Sequence, residues 1–150
     1  MMLCEVASWC KKHGKTLWDA MLDMYEKYGY YREGLETKTL KGIDGAAQIQ
    51  SMMSEYRTTP PKELGGHQVL AVRDYKEDTR KDLVTGEVTK TGLPTSNVLY
   101  YELEHDAWCC VRPSGTEPKV KFYMGVKEEG LTQAEHALEG LKEAMTKIVQ

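Results

Sequence analysis

The hydrophobic positions at the start of the chain recur every three or four residues, which is the spacing of one helical face. The first stripe consists of Leu3, Val6, Ala7 and Cys10. Gly14 then supplies a stop signal, and Thr16 with Asp19 resembles a capping box for a second helix that ends at Gly29. The second stripe consists of Trp18, Met21, Leu22 and Tyr25. The pattern therefore predicts a pair of short amphipathic helices.

Beyond Gly29 the spacing of apolar residues changes to the alternation that is typical of strands. Strands are predicted at 30–42, 67–75, 97–105, 107–112 and 119–126. A tight turn near His105 and Asp106 makes the third and fourth of them an antiparallel hairpin. In the last strand one face carries Val120, Phe122, Met124 and Val126. The charged stretch 76–96 has no period and is predicted to be a long surface loop.

Two more helices are predicted between and after these strands. Asp44 is placed to cap the first, which ends before Pro60. Its apolar face is formed by Ala46, Ile49, Met53 and Tyr56. Thr132 and Glu135 suggest a capping box for the last helix, whose face is formed by Leu138, Leu141, Met145 and Ile148. The predicted fold class is α+β: a mostly antiparallel sheet with two helices on one face, preceded by a short helical pair.

The composition indicates a soluble globular domain and limits what it binds. The 150 residues are 41% hydrophobic and 29% charged, enough for one core. A net charge of −3 argues against nucleic acid and anionic membranes as partners, and no apolar run approaches the ~20 residues of a membrane span. No secretory signal is recognisable at the start of the sequence, so we expect a cytoplasmic location.

Cysteine and histidine give no sign of a metal centre in the sequence. The four cysteines form no C-x-x-C pattern, and adjacent Cys109 and Cys110 would face opposite sides of a strand, so packing thiols are expected. The histidines are scattered, and we interpret them as ordinary surface or loop residues. They are His13, His67, His105 and His136.

The stretch Val111 to Tyr123 reads VRPSGTEPKVKFY and carries the candidate chemistry. Gly115 permits a positive φ, so that backbone amides can converge on an anion. Ser114 and Thr116 add hydroxyl donors, Arg112 offers a planar fork to two phosphate oxygens, and a lysine pair follows. Those lysines are Lys119 and Lys121. The same composition also suits an ordinary turn, and the order of residues is not that of a Walker loop.

This string, between two late strands and before one terminal helix, resembles the C-terminal phosphate-binding loop of the α-D-phosphohexomutases, the phosphoglucomutases and phosphomannomutases. The stretches LWDAMLDMYEKYGYY and GLPTSNVLYYELEHDAWCCVRPSGTEPK are similar to the junction before that family's fourth domain and to the body of that domain. The resemblance implies a TATA-box-binding-protein-like fold without implying DNA binding. It divides the chain into residues 1–29, a helical remnant of the preceding domain, and 30–150, the phosphate-binding domain.

The resemblance also implies roles for individual residues. Arg112, Ser114, Gly115 and Thr116 would hold the phosphate that is not transferred, and Lys119 or Lys121 would add charge. In the complete enzyme, Mg²⁺ and glucose 1,6-bisphosphate are implied, and the substrate is a glucose or mannose phosphate. The upstream domains of the same enzyme would be partners of this segment.

What is missing from the sequence restricts its activity. The family's phosphoserine loop, its DGDGDR-like magnesium loop and its GEESG-like sugar loop have no counterpart in these residues. The segment is therefore expected to hold no catalytic residue, cofactor or metal and to be inactive alone, because a phosphate seat cannot by itself transfer a phosphoryl group. Two alternatives stay open: a free-standing, non-catalytic module that binds phosphosugars, and a purely structural interaction domain.

Overall fold

The structure, a computed structural model, describes residues 1–40 and 44–147. Four helices are present in these residues: α1 (Met2–Lys12), α2 (Leu17–Tyr28), α3 (Gly45–Thr58) and α4 (Leu131–Lys147). The strands are β1 (Tyr30–Thr39), β2 (Glu63–Leu64), β3 (His67–Asp74), β4 (Thr79–Asp82), β5 (Val88–Thr89), β6 (Leu99–Leu103), β7 (Trp108–Pro113) and β8 (Lys119–Glu128). A short turn, Glu104–Asp106, joins β6 to β7.

The strands form one sheet in the order β1, β8, β7, β6, β3, β4, β5, with β2 paired to β3 off this path. Every pairing between described strands is antiparallel. The hairpin turn predicted at His105 and Asp106 is confirmed, and both residues adopt positive φ values of 59° and 58°. Such a left-handed pair is the geometry of a type I′ hairpin turn, which matches the twist of the flanking strands.

The core lies between one face of the sheet and the two helices α3 and α4, which confirms the α+β prediction. The alternating residues of β8 predicted to share a face, from Val120 to Val126, are all buried. Helix α3 contributes Ile49, Met52 and Met53, and α4 contributes Ala134, Leu138, Leu141 and Met145. Met52 was not predicted, Ala46 is exposed, and Ile148 lies outside the described residues.

An ion pair joins α3 to the sheet at the edge of this core. Arg57 Nε donates to Asp74 Oδ2 at 2.9 Å, and both side chains are largely buried. The guanidinium also donates to Asn97 Oδ1, while Asp74 Oδ1 accepts from the Lys76 amide at 3.0 Å. Because each buried charge has several partners, the pair fixes how α3 lies on the sheet.

Three local predictions need correction or refinement. The stretch 76–96 is not one long loop, since β4 and β5 form a hairpin within it. Its strands lack an apolar period because they lie at the polar edge of the sheet, where no residue is fully buried. Asp44 is the N-cap of α3 but makes no side-chain cap hydrogen bond. Helix α4 begins at Leu131, so Thr132 lies inside it and the predicted capping box is wrong.

The helical pair at the start of the chain packs lightly on the rest. The predicted capping box of α2 is confirmed, with Thr16 and Asp19 exchanging both hydrogen bonds. Its attachment to the sheet includes Tyr25, which stacks on Tyr30 and accepts from Arg32 Nη1 at 3.3 Å. The large apolar side chains that remain exposed on the pair are Met2, Leu3, Val6, Trp9, Leu17, Trp18, Met24 and Tyr28. None of the described helices is both long and apolar enough to cross a bilayer.

Candidate phosphate-binding site

The RPSGTEP loop connects β7 to β8 at one end of the sheet. Strand pairing places Arg112 directly opposite Lys121. The loop is closed by the Ser114 amide, which donates to the Lys119 carbonyl at 2.8 Å. A further hydrogen bond of 2.9 Å runs from the Leu40 amide to the Pro118 carbonyl and connects the loop to the end of β1. The loop is therefore held at both of its ends by backbone hydrogen bonds.

A cavity of about 200 Å³ lies inside this bend and is lined by Arg112, Pro113, Ser114, Gly115 and Lys121. No carboxylate of the described residues lies within 4.0 Å of either cationic group of this cavity. Two like charges that face each other across a strand pair repel one another. An anion placed between them would remove that repulsion, so the cavity has the charge and shape of an anion site.

The backbone of the loop differs from the predicted concavity of converging amides. The amides of Thr116 and Glu117 point to Ser114 Oγ, at 3.4 and 3.3 Å. The expectation of a positive φ at Gly115 is wrong, because this residue is not among the described glycines with positive φ. A Cβ built on Gly115 would have no atom within 4 Å. This glycine therefore leaves open space beside the cavity and is not required for the bend.

The six sequence-predicted site residues fall into two groups. The structure brings Arg112, Ser114, Gly115 and Lys121 together around the cavity, and adds Pro113, which was not among the predicted site residues. Thr116 and Lys119 do not line it. Lys119 Nζ instead lies 3.0 Å from Glu117 Oε1. This ion pair orients the Glu117 carboxylate toward Lys119, and neither residue lines the cavity.

The choice between the two lysines could not be made from the sequence alone. Lys119 and Lys121 are two residues apart on a strand and project to the same side. Only Lys121 is in register with Arg112, and that register is set by the length of the loop. On its other side Lys121 stands opposite Thr37 of β1, a neighbour that no local signal in the sequence identifies.

The cysteines beside the site are not nucleophiles. All four cysteines of the chain are free thiols. Burial raises the pKa of Cys110 to about 11, although Arg112 nearby lowers it in part. Burial also raises the pKa of Cys109 to about 12. Both thiols are therefore protonated at neutral pH, as expected for residues that pack, since the thiolate is the reactive form.

Comparison with known proteins reveals relatives over most of the chain. The sequence is 35% identical over 126 residues to a phosphoglucomutase of Staphylococcus aureus (strain bovine RF122 / ET3-1), covering 84% of this chain and 23% of that protein. This chain is homologous to the phosphoglucomutases. The phosphoglucomutase of Staphylococcus saprophyticus is 31% identical over 132 residues, which are 88% of this chain and 24% of that protein. No protein-family model matches the sequence.

A solved phosphoglucomutase has the same fold. The open form of parafusin (pp63), a phosphoglucomutase from Paramecium, superimposes with a TM-score of 0.51 and 14% identity, covering 89% of this chain and 22% of that one. The chain thus spans about a quarter of the length of the phosphoglucomutases that it matches, the size of one domain. The resemblance indicated by the loop motif is confirmed.

Proposed function

We propose that this chain is the C-terminal, substrate-phosphate-binding domain of a phosphohexomutase that interconverts hexose 1-phosphate and hexose 6-phosphate, with phosphoglucomutase as the nearest activity. The observation that carries the proposal is the cavity of about 200 Å³ in which Arg112 and Lys121 face each other, with no ion-pair partner within 4.0 Å among the residues that the structure describes. Homology to phosphoglucomutases supplies the ligand class, a phosphosugar. Residues 30–150 form the binding domain, and 1–29 belong to the preceding domain.

Each residue of the cavity has a separate task in this proposal. The Arg112 guanidinium donates to two oxygens of the phosphate, which a planar fork does better than a point charge. Lys121 neutralises the second negative charge, and the Ser114 hydroxyl donates to a third oxygen. Thr116 and Lys119 reach the phosphate only after the loop changes, because neither lines the cavity, the Thr116 amide donates to Ser114 Oγ, and Lys119 is paired with Glu117.

The metal and the bisphosphate of the complete reaction are assigned to other domains. Mg²⁺ prefers oxygen ligands, carboxylates among them. The cavity presents two cationic side chains, so its residues do not fit a magnesium ion. We therefore expect no conversion of glucose 1-phosphate by this chain alone, with glucose 1,6-bisphosphate and Mg²⁺ present. We also place the enzyme in the cytoplasm, because free cysteines suit a reducing compartment.

Titration with glucose 6-phosphate followed by amide NMR tests the proposal. We expect weak binding, on the order of millimolar, because one open anion seat makes few contacts. The shifts should centre on the amides of Ser114, Gly115 and Thr116. Arg112→Ala and Lys121→Ala should each weaken binding at least about tenfold, the cost of losing one charge-assisted hydrogen bond.

Lys81→Ala is the matched control, because Lys81 is an exposed lysine on β4 at the other edge of the sheet. It should bind as the parent chain does. Shifts confined to another part of the molecule, or equal affinities for all four proteins, would exclude this loop as the phosphate site.

A further inference from the structure

A second cluster of titratable side chains lies at the turn between β6 and β7, at the end of β7 that is opposite to the phosphate loop. His67 begins β3, while Glu104 and His105 belong to the turn between β6 and β7. Because β3 pairs antiparallel with β6, these residues meet although they are far apart in sequence. One nitrogen of each imidazole and one carboxylate oxygen of Glu104 all lie within 4.8 Å of one another.

His67 is the buried member of this cluster. Only 8% of its surface is exposed, and its Nδ1 atom is buried without a hydrogen-bond partner in the described residues. Buried polar atoms almost always have a partner, so an unpaired ring nitrogen points to a group that belongs there. Its ring stands edge-on to that of His105, with centroids 6.2 Å apart. The sequence interpretation of His67 as an ordinary surface or loop residue is wrong.

Of the two other members, Glu104 is oriented by a backbone amide and His105 is exposed. Glu104 Oε1 accepts a hydrogen bond of 3.0 Å from the Gln68 amide, which orients the carboxylate next to His67. Such a contact is what usually orients a metal-binding carboxylate. His105 is exposed, so the cluster meets solvent at this residue, which also lines a neighbouring groove of about 540 Å³.

We propose that His67, Glu104 and His105 bind one divalent transition-metal ion, for which Zn²⁺ is the best match. Two imidazole nitrogens and one carboxylate oxygen are a common zinc donor set, with water in the fourth position. Ligands of a tetrahedral zinc ion stand roughly 3.4 Å apart, given bonds of about 2.0–2.1 Å. The donor atoms lie within 4.8 Å of one another, so metal binding has to bring them closer, and the exposed side chain of His105 is free to rotate inward.

The position of the cluster separates it from the phosphate loop. Strand β7 has six residues, so its two ends are about 17 Å apart. A metal ion here would fasten the β6–β7 turn to the start of β3. Its effect falls on the stability of the sheet and not on phosphate binding, so this proposal does not depend on the proposed function.

The experiment is a titration of the chelator-treated chain with ZnCl₂, measured by calorimetry and by the shift in melting temperature. Cys4→Ser serves as the parent, because Cys4 is an exposed thiol able to bind zinc by itself. We expect one ion per chain, a micromolar Kd and a Tm that rises by several degrees. In this parent, His105→Gly should raise the Kd at least tenfold. Glycine suits the left-handed backbone at this position, so the metal-free variant should be at least as stable as the parent.

His136→Ala is the control, since His136 is an exposed histidine on α4. It should keep the parent affinity. An unchanged Kd in His105→Gly would overturn the proposal. So would the absence of zinc binding by the parent at zinc concentrations about 100-fold above the expected micromolar Kd. Glucose 6-phosphate shifts should be the same with and without Zn²⁺, so failure of either site leaves the other interpretable.

Discussion

At the scale of single residues, Gly65 and Gly115 differ in whether the structure requires a glycine at that position. Gly65 has a φ of +57°, and a Cβ added there would lie 2.7 Å from the backbone nitrogen of Leu141. Gly115 has neither restriction. The tight approach at Gly65 is what allows the β2–β3 turn to pack on α4.

We therefore expect opposite results from the same substitution. Gly65→Ala should lower the free energy of unfolding by roughly 2–4 kcal/mol, because it combines backbone strain with a clash. Gly115→Ala should change it by less than about 0.5 kcal/mol, as for most surface substitutions. Urea unfolding of both variants measures this, and equal losses would show that Gly115 is also conformationally required.

Single residues were also where prediction from the sequence was least complete. The loop string identified Arg112 as a candidate site residue because a guanidinium beside Ser, Gly and Thr has a chemical meaning without any structure. The choice of Lys121 over Lys119 and the meeting of His67 with His105 depend on strand register. Register follows from turn lengths and long-range pairing, which no local pattern contains.

At the scale of elements, Glu102 joins three strands on the face of the sheet that carries no helix. Arg80 donates to both of its oxygens, at 2.9 and 2.6 Å, and Arg73 donates to Oε1. Arg73 also lies over the ring of Tyr100, which stacks on Trp108. The network connects β4 of the charged segment 76–96 to the centre of the sheet through Arg80.

This network predicts a dependence of stability on pH. The hydrogen bonds from Arg80 lower the pKa of Glu102 below its ordinary value of 4.5, although burial opposes them. A carboxyl whose pKa is lowered by folding stabilises the protein above the unfolded pKa, and that contribution is lost as the pH falls through the folded value. The difference in unfolding free energy between the parent and Glu102→Gln should be constant above about pH 5 and shrink below pH 4.5.

Urea unfolding from pH 7 to pH 3 tests this expectation. Glu33→Gln is the control, because Glu33 is exposed on β1 and makes no ion pair in the described part of the chain. A difference for Glu102→Gln that stays constant down to pH 3 would show that the network contributes no pH-dependent stability.

Most of the elements themselves could be predicted from the sequence. Apolar residues recur with a clear period in β8 and in α4, which identifies one as a strand and the other as a helix. Gly14 and Gly29 are clear stop signals for the first two helices. The short polar strands β4 and β5 could not be predicted, because they lie at and next to the edge of the sheet, where the burial that normally produces alternation is incomplete. The start of α4 was misplaced by two residues because Thr132 imitates a cap.

At the scale of the whole molecule, the core includes no residue of the helical pair. All its buried members come from β2, β3, β6, β7, β8, α3, α4 and the short connections between them. The exposed apolar side chains of α1 and α2, among them Trp9 and Trp18, contribute nothing to this core. We propose that in the complete enzyme they pack against the preceding domain.

Removal of residues 2–28 should therefore leave a folded protein. We expect a single cooperative unfolding transition with a Tm lowered by no more than about 5 °C, which is about 1 kcal/mol for a domain of this size. Removal of 131–150 should abolish the transition, since Leu138, Leu141 and Met145 are core residues. Loss of the transition in the first truncation would show that the boundary at residue 29 is misplaced.

Strand β1 has a mechanical consequence for the loop. Each of its ten residues pairs with β8, from Tyr30, which follows the helical pair, to Thr39, beside the bond from Leu40 to Pro118. The ten pairs with β8 join these two features through one continuous strand, and Gly29, with φ of 101°, is the residue before it. We therefore expect a change of backbone angle at Gly29 to carry β1, β8 and the anion cavity along together, so that the cavity keeps its own shape.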